Sequence, residues 1–477
     1  MKKFLTFMLI IFIFVFLTNL PYSDSASNLP LEVIQISENV LVISAKTGNA
    51  RAVALNSSKG IVMVDAFWSP GIAKQSREII QKKFNNKKFI FLINTCEAIL
   101  STGGNETFAD IPIIGHVNCR TGMAKRIQNQ SYYFARTARQ FQERVDRTQR
   151  QMQNLDPNSE DYKESKWWLD LCQRIADDYS KGYQIVLPNI TFKETMTLDL
   201  ENMTLQLYYF GRAATNGDII IKVPEEKLLI MGDLFHYVHV LPLSESDVEE
   251  IDVQKWLEVF DIVLNDSSEI KYVVLANAED IWDRAKLESR RQLIQDVWEK
   301  VLEADSGGLS LDATLEKLNS IETEFPYTKN WEGFSFENGE IIRSDVKRTA
   351  RAIWKKFHKS AAAKIEQVLI DFGKKAAIKE FHKLRSDDQR IYYFSESEFN
   401  TLGYKLMNEN KIQYAIEIFE LNVEMYPQSA NVYDSLGEAY MNDGQKDLAI
   451  QNYEKSLELN PENENAKEML KRLGKKN

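Results

Sequence analysis

Ile93-Asn94-Thr95-Cys96-Glu97-Ala98-Ile99-Leu100-Ser101-Thr102-Gly103-Gly104-Asn105 follows the apolar run Phe89 to Leu92 and ends in two glycines and an asparagine. An apolar strand that opens into a short loop of this kind places its side chains at the mouth of a sheet. Chemistry here would have to come from Cys96, Glu97 and Ser101, because Ala98 and Leu100 carry no nucleophilic, acidic or metal-binding atom. Ser101 has no histidine close to it in sequence and no G-x-S-x-G frame. Thiol chemistry at Cys96 would need a spatially close base such as His236.

Outward from this stretch the chain alternates strands and helices. Residues 40–43, 52–55, 61–64 and 89–93 read as strands, with a helix over 76–84 before the last of them. A second block repeats that logic, with strands at 204–209, 218–223, 228–231 and 272–275 and a helix at 256–264. Two strand-rich halves predict an α+β fold, an αββα sandwich of two mixed β-sheets flanked by helices.

The frame around residues 93–105 resembles the metallo-β-lactamase superfamily, whose loop reads T-H-x-H-x-D-H and then G-G-N. Val64-Asp65 is similar to that family's strand-end aspartate, and Gly115-His116 to its I-I-G-H strand. The resemblance implies zinc ligands at Cys96, Ala98, Leu100 and Ser101, where imidazole and carboxylate donors have been replaced. Gly211 to Asp218 resembles G-x-x-H-T-x-G-D with Ala214 at the ligand histidine, Met231-Gly232-Asp233 keeps the bridging aspartate as Asp233, and Asn277 stands where a P-G-H-G turn has its histidine.

No bound metal and no other cofactor is therefore expected. The alternative is a rebuilt zinc site from Cys96, Glu97, Asp233 and His236. His236 and His239 otherwise read as loop residues at the pocket rim. The resemblance implies hydrolase ancestry, and the replaced ligands point to a binding or scaffold pseudoenzyme with an unknown ligand at the sandwich pocket. A hydrolase working through Cys96, Glu97 and Asp233 is the alternative.

The domain reading is a signal peptide at 1–26, the sandwich at 30–285 with a helical hairpin inserted at 122–182, a helical linker region at 286–395 and repeats at 396–473. Met1-Lys2-Lys3, the apolar run Phe4 to Leu20 and a small-residue exit at Ala26 predict export to a periplasmic or extracellular location, with no stable membrane span after cleavage. Three cysteines, Cys96, Cys119 and Cys172, allow at most one internal disulfide. In the linker region, helices are expected at 290–304, 311–321 and 346–372, with an ordered loop around Gly333 to Gly339.

Leu402-Gly403, Ala415, Phe419 and Pro427 recur as Leu436-Gly437, Ala449, Tyr453 and Pro461, each displaced by 34 residues. That period resembles the tetratricopeptide repeat, whose helical hairpins implies a groove for a protein or peptide partner. Residues 365–384 form a candidate degenerate first unit.

The formal charge of −10 argues against a nucleic-acid partner, but it is unevenly spread. Residues 395–477 hold 15 acids against 9 bases, whereas residues 120–150 hold 8 bases against 2 acids. Residues 151–182 hold 7 acids against 4 bases, so antiparallel pairing of the two inserted helices would neutralise the basic run. The other reading of that run is a basic face lining a mouth for anionic ligands.

Overall fold

A computed structural model describes residues 29, 31–45, 50–212, 215–232, 234, 252–266, 269–276, 281–320, 325, 336–387 and 391–474. The predicted signal at 1–26 and the positions Ala214, Asp233, His236, His239, Asn277, Trp331 and Gly333 lie outside the described residues.

The first sheet has seven strands in chain order: β1 (Leu31–Ser37), β2 (Val40–Ala45), β3 (Ala50–Asn56), β4 (Ile61–Val64), β5 (Phe89–Asn94), β6 (Ile113–His116) and β7 (Ile190–Phe192). β1 to β4 form an antiparallel meander, and β4 to β7 are parallel. Parallel neighbours need crossovers. These are α1 (Pro70–Lys83), the single turn α2 (Ile99–Thr102), α3 (Val117–Gln128), α4 (Gln130–Met152) and α5 (Glu160–Lys181).

The second sheet orders its strands β12-β11-β10-β9-β8, from β8 (Thr195–Asp199), β9 (Thr204–Tyr208), β10 (Ile220–Val223), β11 (Leu228–Gly232) and β12 (Tyr272–Leu275). Only β11 and β12 run parallel, with α6 (Val253–Asn265) between them in sequence.

All residues of β2 are buried, as a strand covered on both faces requires. Val40 and Val42 point between the sheets with Val62, Ile93, Leu205, Ile221 and Ile230. Leu41 and Ile43 point outward to Ile72 and Ile80 of α1 and to Phe141 and Ile175 of the inserted helices. This period-2 division of one strand between two cores produces the αββα layering.

The outer layer on the second sheet extends beyond the expected sandwich boundary at 285. α7 (Arg284–Ser306), α8 (Leu311–Leu318) and α9 (Phe336–Phe357) share one core with Leu229, Met231, Val273 and Trp256 through Leu287, Val297, Leu315 and Ile353. Much of the helical linker is thus the fourth layer itself.

Two local expectations are corrected. The helix expected over 346–372 is broken, because Lys359 N–H donates to the Ile391 carbonyl at 2.7 Å and Ser360 caps the next helix through Ala363 N–H. The result is a two-residue strand, β13 (Lys359–Ser360), paired with β14 (Tyr392–Tyr393), and a new helix α10 (Ala361–Phe372). The loop expected to reach Gly339 stops earlier, since α9 already begins at Phe336.

The remaining helices are α11 (Lys374–Asp387), α12 (Glu396–Asn408), α13 (Ile412–Met425), α14 (Ala430–Asn442), α15 (Lys446–Leu459) and α16 (Glu464–Arg472). They share one core with α10, in which Ala377 and Phe381 of α11 join Ala415, Phe419, Ala449 and Tyr453.

Candidate functional site

β4 and β5 end side by side, which brings Asp65 to the loop after Asn94. Asp65 sits at a φ of 61°, a left-handed backbone that costs a non-glycine residue about 1 kcal/mol. Its carboxylate holds the next loop in place. Oδ1 accepts Thr95 N–H at 2.8 Å and Oδ2 accepts the Thr95 hydroxyl at 2.7 Å. Asn94 and Asn105 exchange side-chain hydrogen bonds at 3.0 and 2.8 Å, and Asn105 also reaches the Val186 carbonyl at 2.9 Å. Gly103 is required by close approach, since a Cβ there would lie 1.9 Å from the Trp68 carbonyl oxygen.

Inside this frame Cys96 is fully buried. Its thiol lies 3.6 Å from the Ser101 hydroxyl, and its sulfur accepts Ala98 N–H at 3.3 Å. Leu100 packs on the apolar cluster beneath the first sheet's helices. Ala98 is the N-cap of α2, its carbonyl accepting the Ser101 and Thr102 N–H groups at 3.1 Å.

Glu97 reaches the 211–218 loop. Its Oε2 accepts the Thr215 hydroxyl at 2.9 Å and its Oε1 accepts Asn216 N–H at 3.3 Å. The Thr215 hydroxyl also lies 2.8 Å from Asp218 Oδ1, so the two carboxylates share its single proton. Gly217 makes room for this contact, because a Cβ there would stand 2.4 Å from Glu97 Oε2. Cys119, on α3, donates its thiol to the Cys96 carbonyl at 3.2 Å. Burial, with the Glu97 carboxylate second, pushes the Cys119 thiol well up, so it stays protonated.

His116 serves the fold. Its Nδ1 accepts Asn118 N–H at 3.2 Å as the cap of α3, leaving Nε2 to donate to the Lys193 carbonyl at 2.9 Å. The ring stacks on Tyr209 with centroids 3.6 Å apart, and burial holds the imidazole below its ordinary range, in the neutral form.

The family model for the tetratricopeptide repeat matches residues 430–463. Over 264 residues, 54% of this chain and 80% of the other, the sequence is 21% identical to a type 2 metallo-β-lactamase of Bacillus cereus. Over 113 residues, 24% of this chain and 45% of the other, it is 25% identical to the type 2 metallo-β-lactamase of Bacteroides fragilis, so the match spans less than half of that relative. This is a metallo-β-lactamase-fold protein with a C-terminal tetratricopeptide repeat. Among solved structures, a sec-alkylsulfatase from Pseudomonas sp. is 12% identical at a TM-score of 0.46, covering 90% of this chain and 65% of its own.

Zinc in a metallo-β-lactamase-fold domain needs donors converging from the loop at 96–101. The described donors there do not fit it. Cys96 Sγ is enclosed with Ser101, the Glu97 carboxylate is spent on Thr215 and Asn216, and Ala98 and Leu100 have no donor atom. Among the described residues no group of three or more His, Cys, Asp and Glu side chains is placed to hold a metal. Of the candidate set, Cys96 and Glu97 are neighbours in one loop, while Asp233, His236, Ala214 and Asn277 fall outside the described residues.

Sequence reasoning missed the clamps. Thr95, Asp218 and Asn216 were visible only as parts of a motif frame, and their joint role needs the spatial contact of two loops. All three cysteines are buried, and no disulfide joins any two of them.

Proposed function

We propose that this chain is an exported metallo-β-lactamase-fold protein that works as a binding scaffold and not as a zinc hydrolase. The observation that carries this reading is the Glu97 carboxylate bonded to Thr215 and Asn216. The two loops that supply metal ligands in the resembling family are here joined by hydrogen bonds from Thr215 and Asn216 to Glu97. A zinc-activated water would have no described ligand set to form on. The helical tail offers the stacked-hairpin surface for a protein or peptide partner.

Metal analysis of the purified, dialysed protein tests the scaffold reading. Zinc should be far below one per chain, and chelator should leave the melting temperature unchanged. Near-stoichiometric zinc, lost on Cys96→Ser or Asp233→Asn, would instead support a hydrolase rebuilt around Cys96, Glu97, Asp233 and His236. Export is tested separately by N-terminal sequencing of protein from the cell envelope or medium, which should begin at Ser27.

A further inference from the structure

α4 and α5 pair through apolar side chains and leave the basic face of α4 unneutralised. Phe134, Phe141 and Val145 of α4 meet Trp167, Leu171 and Ile175 of α5 in one cluster. Four of the six acids of α5 are engaged elsewhere. Glu160 pairs with Lys163 and Asp170 with Lys166 on the same helix, Asp177 accepts from Gln173, and Asp178 accepts Gly71 N–H at 2.9 Å. The expected cross-helix neutralisation of the arginines is absent among the described residues.

Tyr132, Arg136, Arg139, Glu143, Arg147 and Arg150 recur every three or four residues, which puts them on one face of the helix. All six are exposed, Tyr132 by 68%. Arg136, Arg139, Arg147 and Arg150 make no ion pair among the described residues. Glu143 is the one acid within the stripe, and Asp146 at its edge is held by Gln142 at 3.0 Å. Ile127, 41% exposed, stands just ahead of Tyr132 at the end of α3.

This face belongs to the layer through which the chain enters the fold. Leu29 is buried in the same cluster as Phe134 and Phe141, and its N–H donates to Gln75 Oε1 at 3.1 Å. The apolar run Phe4 to Leu20 ends nine residues earlier. Nine residues span at most about 30 Å, so until cleavage after Ala26 a bilayer that holds that run lies within reach of α4.

We propose that the exposed face of α4 docks on an anionic phospholipid surface, its arginines among the headgroups and Tyr132 and Ile127 at the interface. The apolar side of α4 is already buried in the core, so the helix cannot embed and the contact is peripheral and electrostatic. Screening confines the attraction to about 8–10 Å, which lets a local basic stripe act in a chain of net negative charge.

The test uses the uncleaved full chain, sedimented with vesicles of phosphatidylcholine alone or of phosphatidylcholine with phosphatidylglycerol. The apolar run contributes to both, so the ratio between them reads the arginines. The ratio should exceed unity, collapse as salt rises, and fall about tenfold or more in Arg139→Gln/Arg147→Gln. Arg139→Lys/Arg147→Lys should keep it, and both variants should melt as the parent does. Equal binding to the two vesicle types, or a ratio unmoved by the Gln pair, would overturn the proposal. So would a Gln pair that changes the sedimentation of the free protein and not its vesicle binding, since the face would then be a contact between copies.

Discussion

The Thr215 hydroxyl donates to the Glu97 carboxylate at 2.9 Å across 118 positions of sequence, and with Asn216 N–H it fastens the 95–102 loop to the 211–218 loop. Glu97→Ala removes both acceptors at once. Thr215 keeps its bond to Asp218, so the loss is set mainly by Asn216 N–H and the space left beside Gly217 and Gly122. The variant should lose about 1–2 kcal/mol in urea unfolding, and Glu97→Gln, which keeps an acceptor, clearly less. Equal stability of Glu97→Ala and the parent would remove the cross-link from the account.

Thiol reactivity gives a second outcome. Burial pushes the Cys172 thiol up to about 12, and burial with the Glu97 carboxylate raises Cys119 further from reactivity. A thiol reagent at pH 8 should label the folded protein slowly and the denatured protein fully. The raised thiols also set a direction for alkaline stability. Unfolded cysteines ionise near 9 while folded Cys172 does so near 12, so its contribution is intact below pH 9 and is lost as pH rises from about 9 to about 12. Urea midpoints measured across that range should fall, and by less in Cys172→Ala.

The strands were legible because a strand covered on both faces reads as an unbroken apolar run, as Val40 to Ile43 does. The tail was legible because its small and large residues recur at a fixed period. The replaced donors at Ala98 and Leu100 could be read from residue type alone. Three things could not. Glu97 finds its partner through the approach of two distant loops. The break at His358 to Ser360 depends on a backbone bond from Lys359 to Ile391. The charges of α4 and α5 looked complementary as totals, yet Glu160, Asp170, Asp177 and Asp178 found partners on their own helix or on α1.

The two repeat glycines should respond differently to the same change. A Cβ at Gly403 would lie 2.4 Å from ring atoms of Phe419, which is fully buried and cannot retreat. At Gly437 the nearest atoms are in the Tyr453 ring at 3.1 Å, a few tenths of an ångström from ordinary contact. Alanine gains about 1 kcal/mol of helix propensity over glycine at either site. Gly403→Ala should therefore destabilise the tail by about 1–3 kcal/mol, while Gly437→Ala should be near neutral. Thermal melts of the two variants side by side decide this, and the reverse order would contradict the packing described for α12 and α14.

Glu398 decides whether the tail behaves as a separate module. It sits on α12 and is 9% exposed, and its carboxylate accepts from Tyr393 OH at 2.6 Å, from Ser360 on β13 and from Lys355 of α9 at 2.7 Å. Lys355 belongs to the helix that covers the second sheet, so one carboxylate joins the sandwich's outer layer to the first repeat helix. Its charge is nearly buried, and removing it strands the Lys355 ammonium with a side-chain exposure of 13%. Breaking a buried pair from one side costs about 3–5 kcal/mol, because the remaining ion loses its compensation while keeping its desolvation. Glu398→Ala should thus split one calorimetric transition into two, the tail melting first, and limited proteolysis should release a fragment starting near residue 396. If the parent already shows two transitions and Glu398→Ala moves neither, the carboxylate does not couple the layers and the tail is independent of the sandwich.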